Sequence, residues 1–161
     1  MMKNIFEICQ NVINSKNNGG TVIIPHICDN ICNFNTEFER RLISIYPEVK
    51  INYELNGKLT LGSCKFLSVA KGYADQELIV ASLIAKKKYK NVNRKIYFPA
   101  LLQCLLSVKN YAKIIFDTKS PKTLQIHLTK KNINSSNSEN QFVYFLAEDV
   151  YMNSGIDLYY Y

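Results

Sequence analysis

Long apolar runs are missing from this 161-residue sequence. The longest nearly unbroken one, residues 78–85, is eight residues long, against the roughly 20 that a helix needs to cross a bilayer. No membrane span and no membrane partner are therefore expected. Metal-site spacing is missing too. Cys9, Cys28, Cys32, Cys64 and Cys104 are an odd number scattered through apolar segments. Cys28 and Cys32 stand four apart, but no second Cys/His pair completes a zinc site. They read as reduced, mostly buried thiols, which implies a reducing compartment and no metal or other cofactor. Residues 1–7 carry no long apolar stretch and no small-residue cleavage site, so a cytoplasmic location is expected. No repeat and no Pro- or Gly-rich linker divides the chain, which reads as one domain over 1–161.

What is present is enough for a core. Hydrophobic residues make up 47% of the sequence, and a chain of this length buries roughly two-thirds of the surface its unfolded form exposes. Twenty basic against thirteen acidic residues give a net charge of +7. That favours anionic partners without choosing among nucleotides, nucleic acid and acidic surfaces. The basic residues are dispersed, with Lys86-Lys87-Lys88 the densest run, so a solvated surface is the default reading for them.

The apolar spacing of Ile5, Phe6, Ile8, Cys9, Val12 and Ile13 predicts a helix, with a short strand competing over residues 5–8. Residues 21–24 are a buried-strand run closed by Pro25. Thr36 with Glu39 forms a candidate capping box for a helix carrying Phe38, Leu42, Ile45 and Tyr46, stopped by Pro47. Residues 61–69 and 78–84 read as strands. Pro99 marks a helix start, and Leu101, Leu102, Leu105, Val108 and Ala112 give that helix one wide apolar face. Residues 124–128 alternate as a strand. The polar tract 132–140 reads as a loop, and Ser138 with Gln141 as a second capping box, for a helix through Phe142, Phe145, Leu146 and Val150. Gly155 can cap its end, and residues 156–161 read as a closing strand.

Strands alternating with helices predict an α/β fold, a mixed or mostly parallel sheet covered on both faces. Ligands bind such sheets beyond the carboxyl ends of strands, where loops open onto helix N-termini. Two loops fit, residues 25–35 and residues 130–140.

At those loops the sequence resembles the macro domains, small three-layer α/β/α folds that bind ADP-ribose. The likeness is to short standalone phage and bacterial members related to terminal ADP-ribose glycohydrolases, whose strand ends in a Pro-His-Val-Cys-Asn-Asp type of sequence. Here it is Pro25-His26-Ile27-Cys28-Asp29-Asn30. In order, residues 38–48 resemble the following helix and its Pro-Glu ending. Leu61-Gly62-Ser63-Cys64-Lys65-Phe66 resembles a Leu-Gly-x-Val-x-Phe strand. Val80-Ala81-Ser82-Leu83-Ile84-Ala85 resembles a Val-Ala-Asn-x-Ile-x-Gln strand. Residues 97–105 resemble the long central helix, and Ile126-His127-Leu128-Thr129-Lys130 an Ile-His-x-Pro-Lys strand. The ordered series spans most of the chain from Val22 onward.

The resemblance implies a mixed central sheet and a site at the two loops. Asp29, Asn30, Asn33 and Asn35 would serve it from the first loop, and Lys130, Asn134, Ser135, Ser136 and Asn137 from the second. It implies an ADP-ribose-like or NAD-derived nucleotide as partner, with an ADP-ribosylated protein or nucleic acid beyond it. The departures fall on the chemistry. The family's loops are glycine-rich so that backbone N–H groups can approach a diphosphate. Neither loop here holds a glycine, and Phe34, Ile133 and Asn134 bring side chains toward that volume. Asp29 stands where the family's short-form motif has Asn, and Asn30 where it has Asp. The family's amino-terminal Gly-Asp turn is absent, with Glu7 the nearest substitute.

Each candidate has a plainer reading. Asp29 is a general base, a ribose partner or a local turn former. His26 and His127 touch ligand or are structural. Lys130 and Lys131, with Lys86–Lys88 if they share a rim, neutralise phosphate or serve solubility. Tyr159–Tyr161 stack a base or form an edge strand. No Ser-His-Asp or Cys-His pairing is legible; only Asp29 and Glu139 are placed for hydrolysis, so binding is favoured over catalysis. Three functions follow: a nucleotide-binding module, an ADP-ribosyl hydrolase or ADP-ribose-phosphate phosphatase using Asp29, and a filled-cleft fold that contacts protein or nucleic acid. Richness in Asn, Lys and Ile with the phage-like resemblance points to a viral or phage source, and so to a host cytoplasm.

Overall fold

The computed structural model describes residues 4–31, 33–34, 36–55, 59–87, 95–130 and 137–161. Its five strands are β1 (Thr21–Asp29), β2 (Cys64–Lys71), β3 (Glu77–Lys86), β4 (Leu124–Leu128) and β5 (Ile156–Tyr160). They lie in the order β2-β3-β1-β4-β5. β1 is parallel to β3 and β4, β4 is parallel to β5, and β2 alone runs antiparallel along β3. The mixed sheet is the one the alternation predicts.

Helices cover both faces, and the residue parity of β1 sorts them. Ile23 and Ile27 face α4 (Phe98–Lys119) and α5 (Asn137–Tyr151), joining Leu101, Leu105, Val108, Val143 and Ala147. Val22, Ile24 and Cys28 face α1 (Ile5–Asn14), α2 (Glu37–Ile45) and α3 (Glu48–Leu55), with Phe6, Phe38, Leu42 and Tyr53. Every residue of β1, β3 and β4 is buried, as strands covered on both faces must be. β2, at the edge, is mostly half-exposed.

Several local readings are corrected. Pro25 does not close β1, which continues to Asp29. Pairing with β4 is registered only over Thr21–Ile23, so a residue without an N–H is tolerated two positions on. The competing strand over 5–8 gives way to α1, capped by the Asn4 side chain accepting the Phe6 N–H at 3.1 Å. The sequence reading missed α3, a short helix that begins directly after Pro47 and buries only Val49 and Tyr53. On α4 the apolar face is narrower than the spacing implies, because Leu102 is exposed while Cys104 and Ile115 are buried. Ser138 lies inside α5, which opens at Asn137, so it is not the cap. Both Asn153 and Gly155 adopt left-handed backbone in the turn leaving α5.

Candidate functional site

Parallel pairing brings the carboxyl ends of β3, β1, β4 and β5 to one edge, where Asp29, Lys86, Leu128 and Tyr160 end their strands. The segment from Asp29 to the N-terminus of α2 and the segment from Lys130 to the N-terminus of α5 both leave this edge. The two predicted loop positions therefore leave adjacent parallel strands, although Lys130 is already helical, residues 137–140 belong to α5, and residues 131–136 lie outside the described residues.

The first loop is built from the sheet upward. Asp29 is buried, and its Oδ1 accepts the N–H of Ile31 at 3.0 Å and of Asn33 at 3.5 Å, an Asx-type turn. The Tyr53 hydroxyl donates to the Asp29 carbonyl. Phe34 is buried beneath the turn, edge-on to Tyr53 at 5.3 Å between ring centroids and 6.0 Å from the His26 ring. It thus packs into the core beside α1–α3, where it anchors the loop. Thr36 caps α2 by the predicted capping box: its Oγ1 accepts the Glu39 N–H at 3.1 Å, and the Glu39 carboxylate accepts the Thr36 N–H at 3.0 Å. Glu39 is itself buried, and desolvation raises its pKa.

Beneath the loop lies a polar layer that spacing alone does not show. His26 is buried, and its Nε2 meets Ser82 Oγ at 2.7 Å. Its Nδ1 has no hydrogen-bond partner among the described residues. Burial, then the Lys86 charge, pushes the His26 pKa down to about 4, so the ring is neutral at pH 7. Lys86 pairs in register with Asp29 and is buried, which corrects its reading as solvated surface. Lys87 beside it is exposed. The only sequence signal for Lys86 was its place at the end of an apolar strand; Ser82 and Tyr53 carried none.

Around the second loop, Lys130 is exposed directly beyond β4 and Asn137 opens α5. Asn140, one turn into α5, is buried, with no partner for its Oδ1 among the described residues. Sequence reasoning placed it in the polar loop tract. Asn30 and Asn33 are half-buried in the first turn. Cys32, Asn35, Lys88, Lys131, Ile133, Asn134, Ser135 and Ser136 lie outside the described residues. Glu7 stands exposed in the first turn of α1, and Glu139 is half-buried in that of α5.

The other candidates are structural in their contacts. His127 stacks on Tyr159 at 4.8 Å and on Tyr161 at 5.7 Å. Its Nε2 lies 2.9 Å from the Gln125 side-chain oxygen and its Nδ1 2.9 Å from the Tyr161 hydroxyl. Gln125 Oε1 can only accept, so Nε2 carries the proton and Nδ1 accepts from Tyr161. Burial lowers this histidine's pKa to about 4 as well. The Tyr160 hydroxyl reaches the other face and donates to the Tyr144 carbonyl at 3.0 Å. Four of the cysteines are free thiols, three of them buried, and no group of three or more metal-ligating side chains forms among the described residues. No described helix is long and apolar enough to cross a membrane.

No protein-family model matches the sequence, and no curated protein matches it. Solved structures do. A macrodomain protein from Streptomyces coelicolor superposes with a TM-score of 0.63 at 18% identity, covering 88% of each chain. The macrodomain of Mycobacterium tuberculosis DarG gives 0.63 at 10% identity over 93% of this chain and 91% of that one. Thermosipho africanus DarTG, solved in complex with ADP-ribose, gives 0.59 at 10% identity over 86% of this chain and 38% of its own. The chain has the macrodomain fold, α/β with a mixed five-stranded sheet between two helical layers.

Proposed function

We propose that the chain binds ADP-ribose or a closely related NAD-derived nucleotide at the carboxyl edge of β1 and β4. The observation that carries this reading is that β1 and β4 are parallel neighbours, each followed in the chain by a helix, α2 after β1 and α5 after β4. Helix N-termini offer main-chain donors and a favourable dipole to phosphate. A macrodomain-fold neighbour holding ADP-ribose supports the choice of ligand. In this proposal Asn30, Asn33 and Asn35 border the ligand from the first loop, and Lys130, Asn134, Ser135, Ser136 and Asn137 supply donors and charge from the second.

Asp29 has two roles open to it. Its carboxylate in the described conformation closes the turn, taking the Ile31 and Asn33 N–H groups. A ligand that recruits those donors must release Asp29, which then stands in register with Lys86 at the strand ends. In a hydrolase reading, Asp29 would serve as the base. Calorimetry with ADP-ribose, its phosphate and NAD is the test. Micromolar to submillimolar binding of ADP-ribose is expected. No heat with any of the three removes the nucleotide reading. Release of ADP-ribose from a modified substrate by the wild type, undiminished in Asp29→Ala, removes Asp29 as the base.

A second reading is favoured by the same turn bonds. Asp29 and Glu39 already occupy donors at the first loop and at the start of α2. Under it the fold presents a surface to protein or nucleic acid, driven by the +7 charge. Nucleic-acid affinity falling steeply with salt, with no response to ADP-ribose, would select it.

A further inference from the structure

The opposite edge of the sheet carries a concave surface. β1, β3 and β4 begin there and β2 ends there. A groove of 510 Å³ is lined by Lys16, Thr21, Lys71, the turn 73–77 and the segment 119–122. Thr21 in the groove and Asp29 stand at opposite ends of the nine-residue β1, eight steps or about 26 Å apart along the strand. No residue of the nucleotide site proposed above contributes to it.

We propose that this groove is a second binding site, for a small soluble phosphate ester or diphosphate. Four lysines (Lys16, Lys71, Lys119, Lys122) face two carboxylates (Asp75, Glu77) in its lining, leaving two positive charges. A phosphomonoester carries about −1.5 to −2 at neutral pH. Two of the four ammonium groups, those of Lys119 and Lys122, are held in place. Glu77 is buried, accepts from Ser68 at 3.1 Å, and pairs with Lys119 at 2.5 Å, which fixes Lys119 at the wall. Lys122 donates to the Asn17 carbonyl at 2.7 Å. An ammonium has three donors, so that bond leaves two for a ligand.

The floor is rigid for separate reasons. Gln76 is buried and its amide donates to the Ile13 and Ser15 carbonyls at 2.7 and 3.1 Å. Gly72 donates to the Gln76 carbonyl at 2.7 Å, and a side chain at Gly72 would meet the Ile13 carbonyl at 2.1 Å. Three of the four described non-glycine residues with left-handed backbone, Ala74, Asp75 and Ser120, line this one groove. Two of them are consecutive, in a conformation that costs L-residues energy, and such outliers cluster at ligand clamps. A preorganised lining of this kind loses little freedom when it binds.

Pyrophosphate is the probe, followed by calorimetry and by 31P line broadening, with the intact chain. Wild type and Asp29→Ala are expected to bind alike, and the double variant Lys71→Ala/Lys122→Ala to bind roughly tenfold or more weakly. Both lysines are exposed, so the fold survives their removal, and ADP-ribose affinity is expected to be unchanged in that variant. Failure of ADP-ribose binding therefore leaves this proposal standing. Three results overturn it: no response to pyrophosphate, affinity unmoved in the double variant, or affinity lost in Asp29→Ala instead. Capture on vesicles of anionic lipid without a pyrophosphate response is a form of the first result and points to a lipid surface instead.

Discussion

Acidification from pH 7 to pH 4 is expected to remove on the order of 6 kcal/mol of folding stability, a large share of the 5–15 kcal/mol typical of a domain. The cause is a pair of buried neutral histidines. His26 and His127 are each 1% exposed, and burial holds both pKa values at about 4 against an ordinary 6.5. Between those two values the unfolded chain takes up a proton at each site and the folded chain does not. Stability is therefore full above pH 6.5 and falls as pH drops toward 4, by about 3 kcal/mol per histidine. Around His26 the charged neighbour that matters is Lys86, whose ammonium further disfavours an imidazolium there. Glu39 works the other way. Burial raises its folded pKa, so its contribution is present at low pH and lost as pH rises, which offsets part of the histidine effect. Urea unfolding followed between pH 4 and pH 7.5 reads the sum. His127→Gln should roughly halve the slope while leaving the His26 share, and a flat profile in wild type would show that neither ring is buried neutral.

Truncating Phe34 should have the next largest effect. Phe34→Ala is expected to cost about 3–4 kcal/mol, the range for removing a buried aromatic ring, because it empties the space between Tyr53 and His26. The consequence for function is larger than the energy suggests. Phe34 directly follows Asn33, whose N–H closes the Asp29 turn, so losing the ring releases the loop from the sheet. ADP-ribose binding should weaken in parallel with stability, whereas Phe34→Leu, which keeps the loop anchored, should retain most of both. Denaturation midpoints and calorimetry on the two variants measure this. An alanine variant as stable as wild type would mean that Phe34 is not packed beneath the turn.

Sequence and structure agree best where spacing has one physical cause. The alternation of strands and helices, the Thr36–Glu39 capping box and the Pro99 helix start each follow from a local rule, and each is present. Pro25 misled because its effect depends on which neighbour pairs with that position, a tertiary fact. α3 escaped because eight residues burying two side chains leave little periodic signal. Lys86 escaped for a related reason: a lysine in a basic run looks solvated until strand register sets it opposite Asp29 in the interior. Of the proposed site, the break after β1 was legible as an interruption between apolar segments, and the Asp29 turn lies there. The polar layer of His26, Ser82, Tyr53 and Lys86 was not, since its members come from three elements far apart in sequence. Ordered likeness to macro domains reached the fold correctly.

Backbone amide spectra recorded during an ADP-ribose titration address the nucleotide site most directly. Saturable shifts at the amides of Ile31 and Asn33 and just beyond Lys130, with those of Asp75–Glu77 unmoved, are the predicted result. Unchanged Ile31 and Asn33 amides at saturating ligand would mean that the two carboxyl-edge turns do not receive the diphosphate.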